Sequence, residues 1–182
     1  MNLPNRITLV RVLLIPIYLV VYLAEPLSRV PNMWLALTIF SIAAITDAVD
    51  GAIARRYKLV TNFGKLMDPL ADKMLVCAAL VAFTASGALP AWAVIVLISR
   101  EFYISGLRQL AVEQGIVLPA SNLAKWKTGF QITLIIYILL PIEMFSFDWL
   151  VMALLIITIV TSVLSAVQYT TGNLGAFSGR KE

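Results

Sequence analysis

"DAVDGAIARRYKLVTNFGKLMDPLAD", residues 47–72, carries four aspartates and is flanked by apolar sequence on both sides. Asp47 and Asp50 are three residues apart, and Asp68 and Asp72 are four residues apart. Each pair falls on one face of a helix, because a helical turn takes about 3.6 residues. The tract between the pairs is short, so the two helices are expected to run antiparallel with their aspartate faces able to meet. We predict a helical hairpin with four carboxylates at one end.

The composition of the whole chain is that of an integral membrane protein. Its 182 residues are 60% hydrophobic and 13% charged, with a mean hydropathy of +0.90. The charged share is about half that of an ordinary soluble domain, and a soluble core of this size would leave much apolar sequence in water. The sequence contains no His and one Cys, Cys77. Ser-His triads, His-ligated zinc, internal disulfides and cysteine metal clusters are thereby excluded.

Six apolar segments are long enough for transmembrane helices, so we predict an all-α integral membrane protein with six transmembrane helices in a single bundle. The first apolar run is long, is interrupted by Arg11 and has no small-x-small site before Glu25, which favours a retained helix over a cleaved signal peptide. No internal repeat divides the chain, so residues 1–182 are predicted to form one domain. The segments are 7–24, 33–55, 63–86, 90–112, 124–142 and 149–170.

Basic residues are distributed unevenly among these segments. With six spans, both termini lie on one side of the membrane, and every Lys and Arg except Arg29 falls on or towards that side. Lys and Arg concentrate on the cytoplasmic side of membrane proteins. We therefore predict that both termini and the aspartate hairpin face the cytoplasm.

The four carboxylates of the hairpin would repel one another, and each charge is costly near hydrocarbon. A divalent cation relieves both problems, and oxygen ligands without His or Cys suit Mg²⁺, Mn²⁺ or Ca²⁺. Four carboxylates can hold two such ions, which is the arrangement used for phosphoryl and phosphodiester displacement. The pattern predicts metal-assisted phosphate chemistry.

Small and basic residues near the aspartates fit the same chemistry. Gly51 and Ala54 keep the helix surface low for a ligand, and Gly64 lies at the start of the third helix, one turn before Asp68. Arg55 is placed to meet phosphate, which arginine binds in a bidentate manner. The alternative is a set of ordinary salt bridges, such as Asp50 with Arg55. That alternative gives no reason for four acids on two facing stripes.

These residues carry a resemblance to a known family. The pattern Asp47-x₂-Asp50-Gly51-x₂-Ala54-Arg55-x₈-Gly64-x₃-Asp68-x₃-Asp72 resembles the signature of the CDP-alcohol phosphotransferases at every position. The stretches "NLPNRITLVRVLLIPI" at residues 2–17 and "REFYISGLR" at residues 100–108 are similar to the bacterial phosphatidylglycerophosphate synthases within that family.

The resemblance implies a six-helix enzyme of the bacterial cytoplasmic membrane, usually a homodimer. Such an enzyme transfers a phosphatidyl group from CDP-diacylglycerol to an alcohol and releases CMP. By position, two Mg²⁺ or Mn²⁺ ions would be bound by Asp47, Asp50, Asp68 and Asp72, with Asp72 also the general base. The CDP portion would be contacted by Asn5, Gly51, Arg55 and Thr61.

Basic residues outside the signature point to the acceptor. Arg100 lies within a predicted span, where a lone cation is costly, and the set continues with Arg108, Lys125 and Lys127. A neutral acceptor would not need this cluster, whereas glycerol 3-phosphate would, so we predict that these residues bind its phosphate. Two ordinary explanations stay open: Glu101 can pair with Arg108, and the lysines can extend to lipid headgroups.

Three other functions are compatible with parts of the sequence. One is the same reaction with another acceptor, such as inositol phosphate or serine. Another is a divalent-cation or proton-coupled transporter, since intramembrane acids also mark ion pathways; all four aspartates lie near one membrane face, however, which leaves no polar path across. A structural scaffold gives no reason for the aspartate spacing.

No nucleic-acid partner is expected. Direct attack with Asp72 as base is predicted over a covalent enzyme intermediate.

Overall fold

The computed structural model describes the backbone of residues 3–24, 26–57, 62–113, 122–141 and 148–173. Within these ranges it describes the side chains of all residues except 3–8, 47–57, 62–69, 72 and 113. Every described element is an α-helix, and no strand occurs in these ranges. The helices are α1 (Leu3–Ala24), α2 (Arg29–Tyr57), α3 (Asn62–Ala85), α4 (Ala91–Glu113), α5 (Asn122–Leu139) and α6 (Asp148–Gly172).

The prediction of six helices is confirmed. Each predicted segment lies on one helix, and no end differs from its prediction by more than four residues. The largest differences are at the starts of α1 and α2, which begin four residues before the predicted segments. These first turns contain polar residues and a proline, so a search for apolar runs begins too late.

The end of α3 is followed by a short turn at a glycine. Gly87 has a φ of 78°, in the left-handed region that glycine adopts without a steric penalty. The N–H of Leu89 donates to the carbonyl of Phe83 at 3.1 Å, and the carbonyl of Pro90 accepts from the N–H of Ala93 at 3.1 Å. One helix is thereby capped, and the next begins after a connection of five residues.

The chain divides into two compact units, which are described separately. Unit 1 comprises residues 1–89 and 139–144, and unit 2 comprises residues 90–138 and 145–182. Unit 1 contains α1, α2 and α3, whereas unit 2 contains α4 and α6 with nearly all of α5. The prediction of a single domain stays a prediction.

In unit 1, α1 packs along both α2 and α3. The side-chain amide of Asn32 donates to the carbonyl of Val21 at 2.7 Å, and the rings of Tyr18 and Phe40 lie 6.0 Å apart. Because residues later in α2 meet residues earlier in α1, these two helices are antiparallel. The last turns of α1 and α3 meet, since the ring centroids of Tyr22 and Phe83 are 5.3 Å apart.

These contacts define the direction of all three helices. The hydroxyl groups of Tyr22 and Ser86 also lie 2.9 Å apart, so α1 and α3 run parallel and α2 runs opposite to both. Buried alanines let the helix backbones approach closely: they are Ala36, Ala43, Ala71, Ala79 and Ala82.

In unit 2, α6 has a polar buried face. The buried residues recur at spacings of three and four, which keeps them on one side of the helix: Leu155, Thr158, Ser162, Ser165 and Tyr169. Most of the exposed side chains are large and apolar, among them Ile156, Val163 and Val167. This is the reverse of an amphipathic helix on a water-soluble protein.

Two stretches are long and apolar enough to cross a membrane, judged by length and composition within the described residues. They are residues 29–46 of α2 and the whole of α6, whose most apolar 18-residue window is only 22% buried. The all-helical part of the fold prediction is therefore confirmed, and the six-span membrane bundle stays a prediction.

Candidate functional site

The aspartate hairpin lies in unit 1. The backbones of Asp47 and Asp50 belong to α2, and those of Asp68 and Asp72 belong to α3. Their side chains lie outside the described set, so metal coordination by these carboxylates stays a prediction. The same holds for the predicted CDP contacts, since the side chains of Asn5 and Arg55 are outside the description, and so is Thr61.

The aspartates of α2 lie as far from the connection between α2 and α3 as the aspartates of α3 do. Asp50 lies seven residues before the end of α2, and Asp68 lies six residues after the start of α3. Asp47 and Asp72 each lie ten residues from those ends. At about 1.5 Å per residue, Asp50 and Asp68 are about 10 Å from the connection, and Asp47 and Asp72 are about 15 Å from it. All four backbone positions therefore fall in the same end of an antiparallel helix pair.

This donor set fits a hard divalent cation. Both aspartate spacings lie within continuous helix, which keeps each pair on one side of its helix. The donors are all carboxylates, the ligand type that Mg²⁺ and Mn²⁺ prefer. Among the side chains that the structure describes, no group of three or more His, Cys, Asp or Glu residues lies together.

A second polar cluster lies in unit 2, between α4, α5 and α6. Glu101 forms ion pairs with both Lys127 and Arg100, the latter at 3.5 Å. A second nitrogen of Arg100, Nη2, donates to the hydroxyl of Ser165 at 2.6 Å. The side chains are 3%, 10% and 16% exposed for Lys127, Arg100 and Glu101. The cluster is therefore largely removed from water, and each ionic contact in it is strong.

Arg108 lies outside that ion-pair cluster, although it also contacts α6. Its guanidinium carbon is 5.6 Å from the ring centroid of Tyr169, a distance at which a cation is attracted to the face of the ring. The arginine is exposed, whereas the tyrosine is buried. The alternative pairing of Glu101 with Arg108 is not observed in unit 2, because Glu101 pairs with Lys127 and Arg100.

The two lysines of α5 have different environments. Lys125 is exposed and Lys127 is buried. Two residues correspond to about 200° of rotation, so neighbours at this spacing point to nearly opposite sides of a helix. Lys127 is thus oriented into unit 2 towards Glu101, while Lys125 is free to reach solvent or headgroups.

Several polar atoms of unit 2 are buried and have no hydrogen-bond partner among the described residues. They are Nε of Arg100, Nε2 of Gln131, Oγ of Ser162 and the hydroxyl of Tyr169. A buried polar atom without a partner costs about 1–3 kcal/mol. Nε of Arg100 is a donor adjacent to the ion pairs, and the binding of an anion by this cluster stays a prediction.

Sequence reasoning did not find the roles of Glu101, Ser165 and Tyr169. The signal for the last two was present, because they belong to the polar residues of α6 that recur at spacings of three and four. Polar residues on one face of an otherwise apolar helix indicate a face turned towards other helices. No comparable signal distinguished the two possible partners of Glu101.

Comparison with known proteins identifies the class of transferase to which this all-helical chain belongs. The family model described as CDP-alcohol phosphatidyltransferase matches residues 1–164. The chain belongs to the CDP-alcohol phosphatidyltransferase family.

Relatives at high identity cover most of the chain. The CDP-diacylglycerol–glycerol-3-phosphate 3-phosphatidyltransferase of Bacillus subtilis is 45% identical over 94% of this chain and 95% of its own length. The protein of the same name from Rickettsia bellii is 41% identical over 71% of this chain and 70% of its own. A probable phosphatidylglycerophosphate synthase of Mycobacterium tuberculosis is 36% identical over 78% of this chain and 68% of its own.

Proposed function

We propose that this chain transfers a phosphatidyl group from CDP-diacylglycerol to sn-glycerol 3-phosphate, giving phosphatidylglycerophosphate and CMP. The observation that carries the proposal is the 45% identity, over nearly the full length of both chains, to the Bacillus subtilis protein named for that reaction. The intact aspartate pattern and the buried cationic cluster of unit 2 support the same chemistry.

In the proposed mechanism, Asp72 removes the proton of the acceptor hydroxyl as that oxygen attacks the phosphatidyl phosphorus. A new oxygen–phosphorus bond forms, and the bond from this phosphorus to the oxygen of CMP breaks. Two divalent cations, Mg²⁺ or Mn²⁺, held by Asp47, Asp50, Asp68 and Asp72, would supply positive charge that stabilises the pyrophosphate and the leaving CMP. Binding of the CDP portion is assigned to Asn5, Gly51, Arg55 and Thr61.

The acceptor's phosphate is assigned to the basic residues of α4 and α5. Arg100 has a buried Nε that donates to no described acceptor, and a phosphate oxygen would satisfy it. Arg108 has an exposed guanidinium that makes a cation–π contact with the ring of Tyr169. Lys127 adds a buried positive charge, and Lys125 adds an exposed one. A neutral acceptor would leave this positive charge without a use.

The proposal places all six helices across the bacterial cytoplasmic membrane, with both termini and the aspartates facing the cytoplasm, and the enzyme as a homodimer. Large apolar side chains exposed on both units support a lipid-facing surface. In unit 1 they include Leu13, Val20 and Ile45, and in unit 2 they include Ile95 and Ile156. A lipid substrate requires such a setting, because its acyl chains stay in the bilayer while its pyrophosphate meets a water-soluble acceptor.

The test is CMP release from CDP-diacylglycerol in mixed micelles with Mg²⁺ or Mn²⁺. Separate reactions contain glycerol 3-phosphate, inositol phosphate, serine or no acceptor. We expect release with glycerol 3-phosphate and little with the others. Preference for another acceptor would refute the acceptor assignment, and absence of CMP release with all of them would refute the transferase function.

A further inference from the structure

Arg11, in the middle of α1, is fully buried, with 0% of its surface exposed. The arginine side chain stays protonated in proteins, and a buried charge is strongly unfavourable without an opposite charge close to it. Helix α1 packs along α2 and α3, so the residues that surround Arg11 within unit 1 come from those two helices.

The contacts between α1 and α2 give the axial position of Arg11. Tyr18 meets Phe40 at a ring distance of 6.0 Å, and the helices are antiparallel. Arg11 lies seven residues before Tyr18, and Asp47 lies seven residues after Phe40. Seven residues make two turns and leave the helix face almost unchanged. Positions 11 and 47 are therefore level with each other, about 10 Å along the helices from Tyr18 and Phe40. They lie on the same helix faces as those two residues.

The contacts between α1 and α3 give an independent result. Tyr22 meets Phe83 at 5.3 Å, and these helices are parallel. Arg11 lies eleven residues before Tyr22, and Asp72 lies eleven residues before Phe83. Eleven residues make three turns, so the face is again preserved. A crossing of about 20° between such helices changes the axial distance by only about 1 Å.

The supply of carboxylates in the sequence agrees with this position. The residues of unit 1 include six acids, namely Glu25, Glu143 and the four aspartates of the hairpin. Glu25 and Glu143 belong to none of the three helices α1, α2 and α3. The anions available to Arg11 from α2 and α3 are therefore the aspartates, and two of them share its level.

We propose that Arg11 is a positioning residue of the aspartate site, whose guanidinium bridges the carboxylates of Asp47 and Asp72. The planar fork of arginine can bond two carboxylates at once, and each carboxylate keeps further acceptor positions for a metal ion. Arg11 would hold the acid faces of α2 and α3 together before metal binds. As two divalent cations neutralise four carboxylates, Arg11 leaves the loaded site one net positive charge for a pyrophosphate. This last step rests on the proposed function.

The test is a set of double-mutant cycles on the metal-free protein in detergent, with thermal unfolding as the measurement. We expect Arg11→Met to lower Tm by roughly 5–10 °C, the effect of leaving the two carboxylates without their cation. In an Asp47→Asn or Asp72→Asn background the same change should cost less than half as much. Asp50→Asn is the matched control, because that residue lies one turn away and should show no coupling. Arg11→Lys, which keeps the charge, should recover part of the loss.

Added Mn²⁺ provides a second measurement that a packing role would not change. Metal should replace the missing cation, so Mn²⁺ should raise the Tm of Arg11→Met by several degrees more than that of the unaltered protein. An equal loss in every background, with equal Mn²⁺ effects, would overturn the proposal. If Arg11→Met does not fold, folding of Arg11→Met with Asp47→Asn supports the bridge, and failure of Arg11→Lys to fold refutes it. These outcomes do not depend on CMP release, which tests the transferase function separately.

Discussion

Replacing Glu101 with Gln tests how strongly the cationic cluster of unit 2 depends on a single carboxylate. The substitution keeps the size and shape of the side chain and removes its charge. Glu101 contacts two cations, Lys127 and Arg100, and all three side chains are at most 16% exposed. Breaking a buried ion pair costs about 3–5 kcal/mol, because the remaining charge is left without a partner. Arg100 keeps its bond to Ser165, so we expect a loss at the lower end, about 3 kcal/mol.

For a chain of this length, 1 kcal/mol corresponds to about 2–4 °C in Tm, so Glu101→Gln should lower Tm by about 6–12 °C. The assay is thermal unfolding of the purified protein in detergent, followed by tryptophan fluorescence. The matched control is Glu101→Gln combined with Lys127→Met. It removes both charges of the Glu101–Lys127 ion pair, so that no unpaired charge is left buried at position 127. We expect this double variant to regain at least half of the lost Tm. A double variant with the sum of the two single losses would show that the ion pair does not carry the effect.

Four further predictions concern the acceptor, the ring contact of Arg108, the proposed base and the metal. Arg108→Ala should raise KM for glycerol 3-phosphate by about 10–100-fold, the effect of losing one charge-assisted hydrogen bond, with KM for CDP-diacylglycerol nearly unchanged; equal rises would remove Arg108 from the acceptor site. Tyr169→Leu should raise the same KM about 2–5-fold through loss of the ring contact, while Tyr169→Phe keeps the ring and serves as the control, so equal effects would exclude that contact. Asp72→Asn should reduce kcat by about 10²–10⁴-fold in protein that still folds and inserts, and near-normal turnover would exclude this residue as the base. Chelation of divalent ions should abolish CMP release, with recovery on adding Mg²⁺ or Mn²⁺; activity that survives chelation would contradict the metal assignment.

Much of the architecture follows from the amino-acid sequence because helices and apolar stretches are local properties. A window of about twenty residues contains enough periodicity and hydropathy to identify each helix, and all six were found to within four residues at either end. The aspartate spacing is local in the same way, since three and four residues correspond to one helical turn. The likeness to the transferase family also lies in a short pattern with fixed gaps.

The partners of the cations in unit 2 could not be found by that route. Glu101 and Lys127 are 26 residues apart, and Arg100 and Ser165 are 65 apart. Which of two cations Glu101 meets depends on how α4, α5 and α6 are rotated about their axes and shifted along them. No short window of sequence contains that information. The spacing of seven residues made Arg108 a plausible partner for Glu101, but in the structure Glu101 pairs with Lys127 and Arg100.

The amino-acid sequence by itself determined the helical fold, the placement of four carboxylates on two helix faces and the chemistry that such a donor set favours. Only the tertiary structure decided which partners the cations of unit 2 meet: Lys127 pairs with Glu101, and Arg108 lies over the ring of Tyr169. The physical reason is one of range. Helix formation and amphipathicity depend on neighbours within a few turns, whereas the pairing of buried charges depends on the register between helices, which the packing of the whole core sets.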